Sequence, residues 1–253
     1  MKKLMLPAAF AALVIAVLVP VGALGYRFEL WDLGTAFGLL RWFGRSEALA
    51  GAGLVHLAIP LALIALFLAW RSRAQASAGI AIAALLANAA SLYTVISIRS
   101  LAQEVPPIHD ISTDLTDIPQ FVAVAALRKP GDHPTEHAGS YAELDVAALQ
   151  REAYPDLQTL SIPRAAAFER ALASARDMGW AIVAQSEEQG RIEATATTFW
   201  FGFKDDIVIR LRPAGANMAV DLRSQSRVGR SDLGANAKRI RQYLQQLQAA
   251  TAS

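Results

Sequence analysis

Apolar positions are unevenly spread along this chain. Residues 4–25, 48–70 and 79–98 carry no Asp, Glu, Lys or Arg. Each stretch reaches about 20 residues, the length at which a helix rising ~1.5 Å per residue spans a ~30 Å hydrocarbon core. The pattern predicts three membrane-crossing helices within a transmembrane region covering residues 1–98. Beyond it, apolar and polar positions recur at the spacings of a water-exposed domain, expected over 108–249 and joined by a linker over 99–120.

The connections carry their own pattern. Residues 26–47 mix Tyr26, Phe28, Trp31, Phe37, Trp42 and Phe43 with a few charges. This reads either as an interfacial or re-entrant segment or as a plain surface loop. The short 71–77 turn makes the second and third spans an antiparallel hairpin. His56 and Asn88 are polar residues inside spans, read as packing contacts rather than a transport path. Pro106-Pro107 stiffens the exit from the last span, and Ser112, Asp114 and Asp117 suit turns or caps.

Further on, 121–127 reads as a short strand, 129–140 as a loop and 141–153 as a helix. A strand over 157–162 precedes a helix with Pro163 at its first position, Phe168, Leu172, Ala175 and Met178 along one face, and Gly179 as its stop. Four strands follow over 180–185, 191–200, 207–211 and 218–223, then a helix starting near Asp232. The order β-α-β-β-β-β-α predicts an α+β domain with an antiparallel sheet of 4–5 strands and helices on one face.

Alternation assigns the strand faces. Ile192, Ala194 and Ala196, with Ile207, Ile209 and Leu211 and with Met218, Val220 and Leu222, are expected beneath the helices. The other face carries Glu193, Thr195, Thr197, Arg210, Arg212, Asp221 and Arg223. It is either a solvated surface or a polar concavity that holds a ligand.

Charge refines this division. Of 253 residues, 54% are hydrophobic, and the formal net charge is +2. Before residue 99 there are seven Lys or Arg against three acids; the remainder holds 17 basic and 19 acidic residues. The basic character thus flanks the apolar stretches, which argues against nucleic acid as a partner. Lys2, Lys3, Arg71 and Arg73 lie in short, basic segments, so the N terminus is expected inside and the C-terminal domain on the extracytoplasmic (periplasmic) side of an inner, plasma membrane. Reading residues 1–25 as a cleaved signal peptide leaves that side unchanged. Cysteine is absent, which removes disulfides, thiol nucleophiles and Cys-ligated metals.

Long motifs occur in this second part: IHDISTDLTDIPQFVAVAALR, AYPDL, MGW, RIEATATTFWFGFKDDIVIRLRP and VDLRSQSRVGRSDLGANAKRIR. Over about Ile108 to Leu247 they resemble the uncharacterised family called domain of unknown function number 1499. DLGTAFGLLRW with its flanking spans is similar to bacterial members. The resemblance implies a membrane-associated, often extracytoplasmic domain and no settled activity or catalytic residues.

Two segments carry candidate chemistry. The loop 226–234 runs into the last helix, where unpaired N–H groups favour an anion. Arg223, Ser226, Arg227, Arg230, Ser231, Asn236 and Arg239 are the ligand-binding candidates there; the opposing reading makes Ser231 or Asp232 the helix cap. In FGFKDD, Lys204, Asp205 and Asp206 offer a cation site or an acid-base pair, or else a hairpin end paired to Arg210 or Arg227. The aromatics Phe199, Trp200, Phe201 and Phe203 complete the core, dip into a membrane surface or line an apolar pocket. His133 and His137 flank Pro134 without a third ligand, and His109 with Asp110, Asp114 and Asp117 is explained by turn capping, so no metal site is assigned. No cofactor is implied and no catalytic residue is assigned.

The leading expectation is a noncatalytic membrane-tethered binding or interaction module for membrane lipid, another anionic amphiphile or an envelope protein. The competing classes are a hydrolase or transferase of envelope lipids or glycans using Asp205 and Asp206, and a structural subunit of a membrane complex.

Overall fold

The computed structural model describes residues 2–44, 55–137 and 144–252. The chain divides into two compact units, Met1–Ser100 with Phe199–Gly202, and Leu101–Thr198 with Phe203–Ser253.

The first unit is helical: α1 (Lys2–Ala16), α2 (Leu18–Arg27), α3 (Leu33–Gly44), α4 (Val55–Ser72) and most of α5 (Gln75–Glu104). Among the described residues one helix, α5, is long and apolar enough to cross a membrane; α1 and α2 together make a second only if counted as one span bent by 43°. This corrects the expectation of three continuous spans. The first breaks near Pro20, which has no N–H to give the Ala16 carbonyl one turn earlier. Ser91 Oγ of α5 donates to that carbonyl instead, at 3.2 Å. Within the second expected span, residues 48–54 lie outside the described residues, and α4 is a shorter apolar helix.

Burial in this unit runs opposite to a soluble helical bundle. Small residues fill the seams: Ala9, Ala65 and Ala81 form one cluster, and Ala12, Ala58, Ala62 and Ala84 another. Large ones face outward, including Phe10, Ile64, Phe67 and Leu86. Asn88 is wholly buried and its Nδ2 donates to Ala12 and Ala84 carbonyls at 2.9 and 2.8 Å, the packing contact expected of it. Residues 33–44 of the expected interfacial segment form α3, which packs on α2. The Trp31 indole donates to Gly22 O at 3.1 Å, and a Cβ on Gly25 would fall 1.9 Å from its ring.

The second unit is α+β, with a six-stranded antiparallel sheet where four or five strands were expected. Its order is β1 (Asp110–Ser112), β6 (Asn217–Ser226), β5 (Lys204–Ala214), β4 (Arg191–Thr197), β3 (Ala181–Ser186), with β2 (Leu160–Pro163) also pairing β6. The helices are α6 (Val146–Ala153), α7 (Ala167–Asp177) and α8 (Ala235–Ala252). Seven of the nine predicted core residues of β4, β5 and β6 belong to the main core cluster, and partly buried Ala196 and Met218 pack against it. Trp180 stacks on Tyr243 at 5.3 Å, and the Tyr243 hydroxyl donates to Ala171 O at 2.9 Å. Gly179 stops α7 with φ +73°, a left-handed conformation that favours glycine.

Two local expectations change. Pro163 ends β2 opposite Asn217 rather than opening α7, because a terminal edge position tolerates the missing N–H. Residues 121–127 hold no strand: Val124–Leu127 is a 3₁₀ turn. The Glu193 carboxylate takes the Val122 and Val124 N–H groups at 3.0 and 2.9 Å, donors a strand would have used in a ladder.

Candidate functional site

Most of the charged face of the sheet is covered rather than solvated, with Thr197 and Arg212 left accessible. Residues 113–137 form a strap across it, seated by Phe121 and Val124 against Val208 and Val183. Beneath it Glu193, Asp206, Asp221 and Arg223 are wholly buried. The reason lies in β6, whose alternate residues Asp221, Arg223 and Gln225, with Arg227 just past its end, all point to the strap.

Each charge meets an internal partner. Arg223 binds Asp110 bidentately at 2.8 and 2.9 Å, donates to Pro119 and Thr135 carbonyls at 3.2 and 2.7 Å, and lies 4.5 Å from the Phe121 ring centre. Arg227 binds both oxygens of Asp206 at 2.8 and 3.0 Å and donates to Leu127 O at 3.0 Å. Asp206 also accepts from Arg128 Nε and Thr195 Oγ1, both at 3.0 Å. At the far end, Arg210 and Arg212 share Asp114 and Asp221. Gln225 bridges Asp110 and Pro134 O, both at 3.1 Å. Bidentate arginine pairs of this kind are the stronger hydrogen-bonded ion pairs.

The helix-facing side of β6 ends in a second polar cluster. Ser224 Oγ donates to Asn236 Oδ1 at 2.7 Å, and Asn236 Nδ2 donates to His109 O at 2.9 Å and Ser226 Oγ at 3.0 Å. Arg239 pairs with Asp205. Asp205 and Asp206 are consecutive in β5, so they leave the sheet on opposite faces and bind different arginines. They do not converge as an acid-base pair.

Asp232 lies three residues before the first residue of α8. Its carboxylate accepts the N–H groups of Gly234 at 2.7 Å and Asn236 at 2.8 Å, while Ser231 Oγ accepts from Leu233 N–H at 3.2 Å. The capping alternative therefore describes this terminus, and the N–H groups of Leu233, Gly234, Ala235 and Asn236 are taken by internal acceptors. Burial, only partly offset by those two bonds, pushes the Asp232 carboxyl up to about 6. Lys204 and Arg230 are exposed; the remaining candidates Arg223, Ser226, Arg227, Asn236 and Arg239 join the internal networks.

Sequence reading gave Asp110 a turn-capping role and missed Arg128 and the gathering of three histidines. His109 stacks on His133 at 3.9 Å, His133 Nε2–H donates to Gly229 O at 3.0 Å, and His137 Nδ1–H donates to Asp110 at 3.1 Å. Burial holds the His109 imidazole down to about 4, reinforced by His133 and opposed by Asp110. For Asp110, burial pushes upward most strongly, but the bonds from His137 and Arg223 together outweigh it and leave the carboxyl below its usual range. No group of three or more His, Cys, Asp or Glu among the described residues is arranged to hold a metal ion. The only usable signals were the polar residues inside alternating β6; the strap partners lie in turn-rich sequence without periodicity.

What the arrangement does chemically is bind the strap to the sheet: neutralised carboxylates and arginine-bound carbonyls fix its path. No curated protein matches the chain. A family model described as "Protein of unknown function (DUF1499)" matches residues 110–247, from the first residue of β1 into α8 and over half of the chain, so the chain belongs to that family.

Proposed function

We propose that this protein is a membrane-tethered, noncatalytic interaction module that works at the bilayer surface. The inverted burial of the helical unit is the observation that carries the reading. Buried alanines with exposed Phe, Leu and Ile fit a lipid solvent, where close backbone packing replaces the hydrophobic effect as the glue between helices. The proposal includes three passages of the membrane, with the bent α1–α2 pair as the first, α4 as the second and α5 as the third. The short basic segments around Lys2, Lys3, Arg71 and Arg73 then support an inside N terminus and an extracytoplasmic domain.

A noncatalytic role is supported by the use of the charged residues. Arg223, Arg227 and Arg239 are held by Asp110, Asp206 and Asp205, and the two carboxylates considered for hydrolysis leave opposite faces. Surface groups such as Lys204 and Arg230 are better placed to meet a lipid headgroup or a membrane protein than the buried arginines are.

Alkaline carbonate extraction of membranes from cells expressing the full chain tests the tether. Retention in the pellet, with release only by detergent, is expected. Release by carbonate would overturn the reading.

A further inference from the structure

We infer that the tip of the β4–β5 hairpin, Phe199 and Trp200, is an interfacial anchor immersed in the headgroup zone of a lipid bilayer. This rests on the membrane reading above and deepens it. Phe199 and Trp200 are 75% and 54% exposed, and they meet edge to face at 5.2 Å. More than half of each ring is exposed and neither belongs to a core cluster, so the core-completing alternative fails for this pair. The tip also packs within the apolar helical unit. The Arg27 guanidinium, at the end of α2, lies 5.8 Å from the Phe199 ring centre and donates to the Phe199 carbonyl. Phe201 lies 5.9 Å from Phe37 of α3. The tip thus adjoins exposed Phe37, and Arg27 beside it is followed in sequence by exposed Phe28 and Leu30. Aromatic rings beside an arginine match the chemistry of the membrane–water boundary, where a ring accepts both apolar and polar neighbours. A lipid surface is therefore the occupant to which this patch is assigned.

The absence of cysteine permits a clean test on the full chain, reconstituted in phosphatidylethanolamine–phosphatidylglycerol vesicles. A nitroxide on Thr197→Cys, an exposed position beside the tip, is read by collision with oxygen and with a water-soluble nickel complex. Leu86→Cys, 68% exposed on α5, reports the membrane reading, and exposed Ala216→Cys, at the β5–β6 turn, reports water. The expected result is an oxygen-favoured label at 197 that shifts to nickel-favoured when Phe199→Ser and Trp200→Ser are added. A nickel-favoured label at 197 beside an oxygen-favoured one at 86 would overturn the anchor and leave the membrane reading standing. So would a label at 197 shielded from both reagents, which signals protein contact, or one unmoved by the double substitution. A nickel-favoured label at 86 would overturn both.

Discussion

Arg223 and Asp110 form a wholly buried bidentate pair across 113 residues of sequence, with contacts of 2.8 and 2.9 Å joining β6 to β1. Such a pair is held by its geometry rather than by its net electrostatic gain, because both ions have left water. Removing one partner strands the other. Arg223→Met is expected to cost about 3–5 kcal/mol, read as a lowered denaturation midpoint of the detergent-solubilised chain. Arg223→Lys should also destabilise, since a point charge cannot reproduce the two-pronged contact or the stacking on Phe121.

Arg227 and Asp206 should behave as one unit. In a double-mutant cycle with Arg227→Ala and Asp206→Asn, a coupling of about 0.5–3 kcal/mol is expected in unfolding free energy. Additive losses would mean the contact carries no stability. The same Arg227→Ala change should lower stability while leaving retention of phosphatidylglycerol in native mass spectrometry unchanged, because the guanidinium is occupied by Asp206 and Leu127 O.

Acid response has two opposing components. Asp232 is raised from 3.8 to about 6, so its contribution is fully present below 3.8 and is lost as pH rises through about 6. His109 is lowered from 6.5 to about 4, so its contribution is present above 6.5 and is lost as pH falls toward 4. Asp232→Asn should therefore steepen the loss of stability on acidification between pH 6 and 4, and His109→Asn should reduce it. Denaturant midpoints across that range provide the measurement; unchanged slopes would contradict the assignment.

In the helical unit, Ser91→Ala leaves the Ala16 carbonyl without the hydroxyl that replaces the bond lost at Pro20. A loss of about 0.6–2 kcal/mol is expected, the range for hydrogen bonds between helices in a membrane. Asn88→Leu should cost a similar amount, and thermal unfolding in detergent reads both.

The alternation of Ile192, Ala194, Ile207, Ile209, Val220 and Leu222 made the helix-facing side of the sheet legible, and Gly179 marked the end of α7. These are local signals: side-chain period in a strand and a left-handed stop. The strap was not legible, because Asp110, Asp114 and Asp117 look like ordinary turn residues until Arg223, Arg210 and Arg212 arrive from about 100 residues away. The polar half of β6 therefore suggested a water-facing surface. The break in the first apolar stretch was hidden for a related reason: composition locates a stretch long enough to span a bilayer, whereas the bend depends on Pro20 and on Ser91 of another helix. At the candidate anion site, residue types suited the chemistry, but pairing to Asp206 and capping by Asp232 had already used them.

A module tethered in the membrane should carry its C-terminal domain outside. Ala216→Cys, exposed at the β5–β6 turn, tests both parts in intact cells with a membrane-impermeant maleimide. The account predicts that the membrane-bound protein is modified without lysis. Modification only after lysis would contradict the topology, and recovery of the protein in the soluble fraction would contradict the tether.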